Sequence, residues 1–199
     1  VVTLSGKLSG SYNSAVLGAK LYNEEHEENK KIHVFNSRSA SGGQTLIAKK
    51  IVECENKGMS FEDVVEAVEK YTDEMNTFFV LENLETLRKN GRLSRVKALV
   101  ASALKIKPVM GSTDEGTICQ LDQARGMNRA MVKMVDYIVE KTVNPSGRPV
   151  VITHCNCPER AELLRSAVEE RLHPLEVIVL DTAGVSSMYA NDGGVIVAV

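Results

Sequence analysis

The chain has 199 residues, 43% hydrophobic and 25% charged, with a formal net charge of −2. That length holds one large domain or two small ones. The charge excludes a general basic surface for nucleic acid, the 5% aromatic content without Trp excludes a stacking surface for bases, and no run approaches the ~18 apolar residues needed to cross a membrane.

The chain opens inside an apolar run, residues 1–4, which reads as a buried strand. It has no initiator methionine and no polar lead-in, so we read it as a piece of a longer protein. A Gly/Ser-rich turn, Ser5-Gly-Lys-Leu-Ser-Gly-Ser11, follows at once. Residues 11–26 then read as a helix with Val16, Leu17, Ala19, Leu21 and Tyr22 on its apolar side. Residues 32–35 are a second short strand, and Asn36-Ser-Arg-Ser-Ala-Ser-Gly-Gly43 a second polar turn. Residues 45–56 are a helix with Leu46, Ile47, Ile51 and Val52 toward the core, ended by Lys57-Gly58. Ser60 and Asp63 resemble a capping box at the start of a helix over 61–75. This βαβα order predicts parallel strands.

Past residue 76 the pattern changes. Residues 77–81 read as a strand, 83–89 as a short helix and 94–104 as another helix. Residues 106–110 and 117–121 read as a hairpin across Ser112-Thr-Asp-Glu-Gly116. A long amphipathic helix over 127–143 is broken by Pro145-Ser-Gly147. Strand 150–153 leads into a helix opened by Pro158, and 177–180 and 194–199 are closing strands.

Strand, turn, helix aims backbone N–H groups at an anion. The two Ser/Gly-rich turns follow consecutive parallel strands, so both lie at the carboxyl edge, where α/β sheets bind ligands. Neither fits GxxxxGK[ST] or GxGxxG, so nothing specific points to ATP or dinucleotides. Arg92 and Arg95, in Asn90-Gly-Arg-Leu-Ser-Arg95, stand against a helix dipole and are candidates for holding an anion or a partner. His154-Cys-Asn-Cys157 reads as a helix start rather than a metal or nucleophile site. Cys54, Cys119, Cys155 and Cys157 lack a paired zinc spacing and read as reduced thiols of a cytoplasmic protein. The acidic stretch 24–28 and Asp73-Glu74 read as solvated surface. Met127, Met131 and Met134 form a stripe that suits a core, or a flexible apolar ligand.

Three segments carry a resemblance. Ser5-Gly-Lys-Leu-Ser-Gly-Ser-Tyr-Asn-Ser-Ala15 resembles S-S-K-L-S-G-T-Y-Q-S-A. Phe78-Phe-Val-Leu-Glu-Asn-Leu-Glu-Thr-Leu-Arg-Lys-Asn-Gly-Arg-Leu-Ser94 resembles F-F-V-L-D-N-L-E-Y-L-K-K-G-G-R-I-S. Lys105-Ile-Lys-Pro-Val109 resembles N-I-K-P-I. Over essentially its whole length the chain is identified as a member of the DegV family, the bacterial fatty-acid-binding proteins.

The resemblance implies a two-domain α/β fold: a parallel α/β domain over 1–75, truncated at its start, and an α+β domain over 76–199 with a mixed or antiparallel sheet. A long-chain fatty acid would lie between them. A separate fatty acid kinase would phosphorylate its carboxylate to an acyl phosphate that feeds phospholipid synthesis. The chain itself would be a cytoplasmic carrier without catalysis, cofactor, metal, nucleic acid or stable membrane insertion. The ligand residues expected are Ser5, Gly6, Ser9, Gly10, Ser11, Ser37, Ser39, Arg92 and Asn191; Arg125 matches a further family arginine. Two positions depart from the family pattern. Gly6 replaces the second serine of S-S-K. Ala190-Asn-Asp-Gly-Gly194 replaces H-T-G-P-G, which puts Ala190 at the histidine and Asp192 where it would oppose a carboxylate. The rival readings are an acyl hydrolase using Ser5 or Cys155 with His154, which lacks a GxSxG elbow, and a non-catalytic module for another small anion.

Overall fold

A computed structural model describes residues 1–28, 30–93 and 105–199. Arg95 and the helix predicted over 94–104 lie outside the described residues. β1 (Val2–Thr3) and β2 (Phe35–Asn36) pair in parallel, as the βαβα order predicts. Between them runs α1 (Ser11–Glu25); α2 (Gly42–Asn56) and α3 (Phe61–Asp73) follow. The caps form as the sequence implies. The Ser60 hydroxyl accepts from the Asp63 amide at 3.2 Å, and Gly58 takes φ +70° behind α2. Phe35, Ile47, Cys54, Val64 and Val68 make the core of this layer.

Two expectations here are corrected. The apolar side of α1 is not core: Val16, Leu17 and Leu21 are 42%, 55% and 45% exposed, and α1 has no buried residue. A two-stranded ribbon offers too little surface to bury a helix as well as α2 and α3. Val52 is likewise 54% exposed, because Leu46 and Ile47 take the inward face of α2.

The second part is built on a sheet of order β5-β4-β3-β8-β6-β7 among the described residues. Its strands are β3 (Thr77–Val80), β4 (Ile106–Ser112), β5 (Ile118–Arg125), β6 (Pro149–His154), β7 (Glu176–Asp181) and β8 (Val195–Ala198). β6 and β7 run parallel and the remaining pairs antiparallel, so the sheet is mixed, as expected. The helices are α4 (Glu85–Lys89), α5 (Met127–Lys141), α6 (Pro158–Leu172) and α7 (Gly184–Ala190).

Strand alternation splits the apolar residues between two faces. Phe78, Val80, Ile152 and Val197 pack under α5 and α6 with Met131, Met134 and Leu164. The methionine stripe is therefore core. Phe79, Leu81, Met110 and Ile118 face the other way, toward the first layer. Farther along that face Val151 and Ala198 pack on Leu46 of α2, which joins the two layers.

Candidate functional site

Where the first layer meets the sheet, the apolar face stays partly uncovered. A slot of about 390 Å³ runs there, over a floor of Phe79, Gly111 and Ile196, beneath Leu4, Leu8 and Ala40. Leu87 of α4 and Val185 and Tyr189 of α7 form its walls. The volume is that of a small-ligand pocket, and its lining is predominantly apolar.

One side of the slot is electrically positive. Ser9 and Ser11 bring it the start of α1, and Ser41 and Gln44 the start of α2. Both helices direct the positive ends of their dipoles there. A second cavity of about 450 Å³, lined by Gly6, Lys7, Gly10 and Asn90, shares Leu8, Ser9, Arg92, Thr117 and Ile118 with the slot and forms its vestibule. Gly91, at φ +74°, turns the chain after α4. That turn lets Arg92 donate from Nε to the Leu8 carbonyl at 3.1 Å and from Nη1 to the Asn90 carbonyl. Neither Arg92 nor Lys7 has a carboxylate partner among the described residues. The mouth thus presents two cations and two helix starts.

Of the residues expected at a ligand, the structure gathers Gly6, Ser9, Gly10, Ser11 and Arg92 around the slot and vestibule. Ser5 lies beneath them, fully buried, its hydroxyl donating to the Gly116 carbonyl at 2.7 Å and accepting from the Lys7 amide. Ser37 and Ser39 are also buried under the second turn. Ser37 Oγ donates to the Ser39 carbonyl, and Ser39 Oγ meets Thr77 Oγ1 at 2.6 Å. Asn191 does not line the slot; it accepts from Thr86 and donates to the Tyr189 carbonyl. Its neighbour Ala190 does line it. Asp192 is held by Asn156 Nδ2 at 2.8 Å. Arg125 ends β5 in solvent.

Sequence reasoning missed Arg38, Ser41, Gln44, Thr77 and Ser112, all of which line the slot. β2 ends at Asn36, so strand alternation does not reach this turn, where Ser37 and Ser39 are buried while Arg38, Ala40 and Ser41 line the slot. Arg38 and Ser41 hold φ +49° and +54°, a bend that brings both turns together. Arg38 is anchored by Asp73, and Glu74 pairs with Arg148, so these acids are structural rather than merely solvated.

His154 starts a helix, as its sequence context suggests: its Nδ1 accepts from the Cys157 amide, the N-cap of α6, at 3.3 Å. Burial pushes the Cys157 thiol up, away from the reactive thiolate. Ser5 Oγ donates to a carbonyl and not to an imidazole. The hydrolase pairing of Ser5 with His154 has no geometric support. No cluster of three or more metal-ligating side chains occurs among the described residues. None of the described helices is long and apolar enough to cross a membrane.

The wall at Ala190 is braced from behind. Arg160 donates to the Gly193 carbonyl and pairs with Glu82 at 3.0 Å, and Lys107 also pairs with Glu82. Burial raises the Glu82 pKa, but the Lys107 and Arg160 contacts outweigh it and hold the carboxyl below its ordinary range.

An apolar slot with a cationic mouth lies between an α/β layer and a mixed sheet, a shape that suits a small amphiphile. The chain belongs to the DegV family, whose model, described as uncharacterised protein, DegV family, matches residues 1–199. A DegV domain-containing protein of Streptococcus pneumoniae is 35% identical over 196 residues, which is 98% of this chain and 69% of that one. Among solved structures, a DegV family protein of Ruminococcus gnavus with vaccenic acid is 58% identical at a TM-score of 0.97, over 100% of this chain and 70% of that one. The Streptococcus pneumoniae Fatty Acid Kinase (Fak) B3 protein loaded with linoleic acid is 34% identical at 0.90, over 99% and 69%.

Proposed function

We propose that this chain binds a long-chain fatty acid in the slot and presents its carboxylate, at the vestibule, to a separate fatty acid kinase that makes the acyl phosphate. The observation that carries the reading is the continuity of the apolar slot with a cationic vestibule through Leu8, Ser9 and Arg92. Burying a sixteen-carbon chain contributes on the order of 12 kcal/mol gross at ~0.8 kcal/mol per CH₂, enough to offset much of the cost of association. The carboxylate requires donors. Ser9, Ser11, Arg92 and the amides of the first turn supply them. Ser5, Ser37 and Ser39 act from beneath by fixing the two turns, and Asn191 by fixing the wall at Ala190.

The reading treats residues 1–75 and 76–199 as two units with the ligand between them. Their separate cores, one around Phe35 and Ile47 and one around Val109 and Met134, support this division. The role is that of a carrier, with the phosphoryl chemistry on the kinase. Two relatives point the same way: the Ruminococcus gnavus protein carries vaccenic acid and the Fak B3 protein linoleic acid. Reconstitution with a bacterial fatty acid kinase and labelled ATP tests it. Labelled acyl phosphate should form only when this chain is present; formation without it, or none with it, rejects the carrier role.

A further inference from the structure

We infer that Asn90 is a site of spontaneous covalent modification: deamidation through attack by the Gly91 amide, which sets a carboxylate at the rim of the vestibule. Asn90-Gly91 is the one Asn-Gly step in the sequence, and it stands where the family motif reads Gly-Gly, so it belongs to this chain in particular. Asn-Gly steps react because glycine puts no Cβ beside the attacking nitrogen and leaves the backbone free to swing toward the side chain. The structure leaves this step accessible. Asn90, Gly91 and Arg92 are all exposed, and a Cβ built on Gly91 would meet nothing within 4 Å, so the ring that forms has room. Two bonds must open first: the Gly91 amide donates to the Arg88 carbonyl at 3.0 Å and Asn90 Nδ2 to the Thr86 carbonyl at 2.9 Å. Both belong to the end of α4, a helix of five residues, and the end of so short a helix opens at little cost.

Comparable steps are locked. At Asp192-Gly193 the glycine is buried, its amide donates to the Cys155 carbonyl at 2.8 Å, and Asn156 holds Asp192. Asn36 accepts from the Gly6 and Arg38 amides and precedes buried Ser37. At Asn90 the Gly91 nitrogen gives its proton to hydroxide and attacks Cγ. The new N–Cγ bond closes a succinimide, the Cγ–Nδ2 bond breaks, and Nδ2 leaves as ammonia. Water then opens the ring at either carbonyl, which yields an aspartyl or an isoaspartyl residue. The product carries a negative charge that the amide lacked. Position 90 and Arg92 both line the vestibule, and Arg92 Nη1 already donates to the Asn90 carbonyl. A carboxylate there pairs with the guanidinium and cancels one of the two vestibule cations. If the vestibule holds the fatty-acid carboxylate, as proposed above, the modification weakens that hold.

Peptide mapping by mass spectrometry, after the folded chain is held at pH 8 and 37 °C for about two weeks, tests the site. The peptide containing position 90 should gain about 1 Da, in aspartyl and isoaspartyl forms, at least about tenfold faster than any other Asn-containing peptide. Asn90→Gln, an exposed change, should stop that gain. The inference is overturned if position 90 stays unmodified in the folded chain while a urea-unfolded sample converts, if other asparagines convert as fast, or if Asn90→Gln leaves the gain at that peptide in place. Release of bound fatty acid is read on the same preparations. Asn90→Asp should release it at least about threefold faster than the fresh parent, by a margin that narrows in high salt; equal release overturns the effect on the vestibule. A fresh parent that holds no fatty acid rejects the carrier reading instead, and the mass gain still decides whether Asn90 is a modification site.

Discussion

Ser5 Oγ donates to the Gly116 carbonyl at 2.7 Å, tying the first turn of the chain to the tip of the β4–β5 hairpin 111 positions away. Gly116 holds φ +80°, and a Cβ there would stand 2.5 Å from Ser5 Oγ and 2.7 Å from Arg38 Cα. Gly116→Ala combines backbone strain with collision and should lower the unfolding free energy by roughly 2–3 kcal/mol. Ser5→Ala removes the partner of the Gly116 carbonyl and of the Lys7 amide and should cost about 1–2 kcal/mol without unfolding the chain. Urea denaturation reads both, and retained lipid should fall in each because the two turns bounding the slot separate.

Arg92 holds the Leu8 carbonyl from the outer side of the vestibule. Arg92→Ala should lower retained lipid only modestly, since one carboxylate donor is lost while the apolar contacts remain, yet slow acyl phosphate formation by the kinase at least about tenfold through loss of a charge-assisted contact. Unaltered kinase turnover would make Arg92 ordinary surface.

Ala40 is half-buried on the slot. Ala40→Phe projects a ring into that space while leaving the buried core beneath untouched. The bound acyl chains should shorten, and chain-length analysis of the extract checks this. An unchanged length distribution would mean that the chain lies elsewhere.

Glu82 titrates below its ordinary value because Lys107 and Arg160 favour its charged form over the burial that opposes it. A carboxyl depressed in the folded state contributes stability that is present above its unfolded pKa and lost as pH falls through the lower folded value. The brace on Gly193 should therefore loosen below about pH 4. Melting curves from pH 7 to pH 3 check this. Glu82→Gln should melt lower at neutral pH and lose less on acidification than the parent.

Much of this architecture is legible in the residues. The parallel start, the capping box at Ser60, the glycine stop at Gly58 and the hairpin all follow from local chemistry that tertiary packing leaves intact. The apolar side of α1 was misleading because periodicity reports that a face is apolar and not that anything covers it. α7 escaped notice because Gly184-Val-Ser-Ser-Met-Tyr-Ala190 is short, lacks a side-chain cap and carries no stripe. At the site, the Ser/Gly-rich composition locates both turns, but only the left-handed bends at Arg38 and Ser41 separate these slot-facing residues from buried Ser37 and Ser39. The partners from the sheet, Thr77 and Ser112, come from positions that no local pattern links to the turns.

Mass spectrometry of organic extracts from the purified chain addresses the lipid slot most directly. A long-chain fatty acid should co-purify in near-stoichiometric amount and be displaced by added fatty acid. A chain that is empty after mild purification and takes up no fatty acid on incubation would contradict the account.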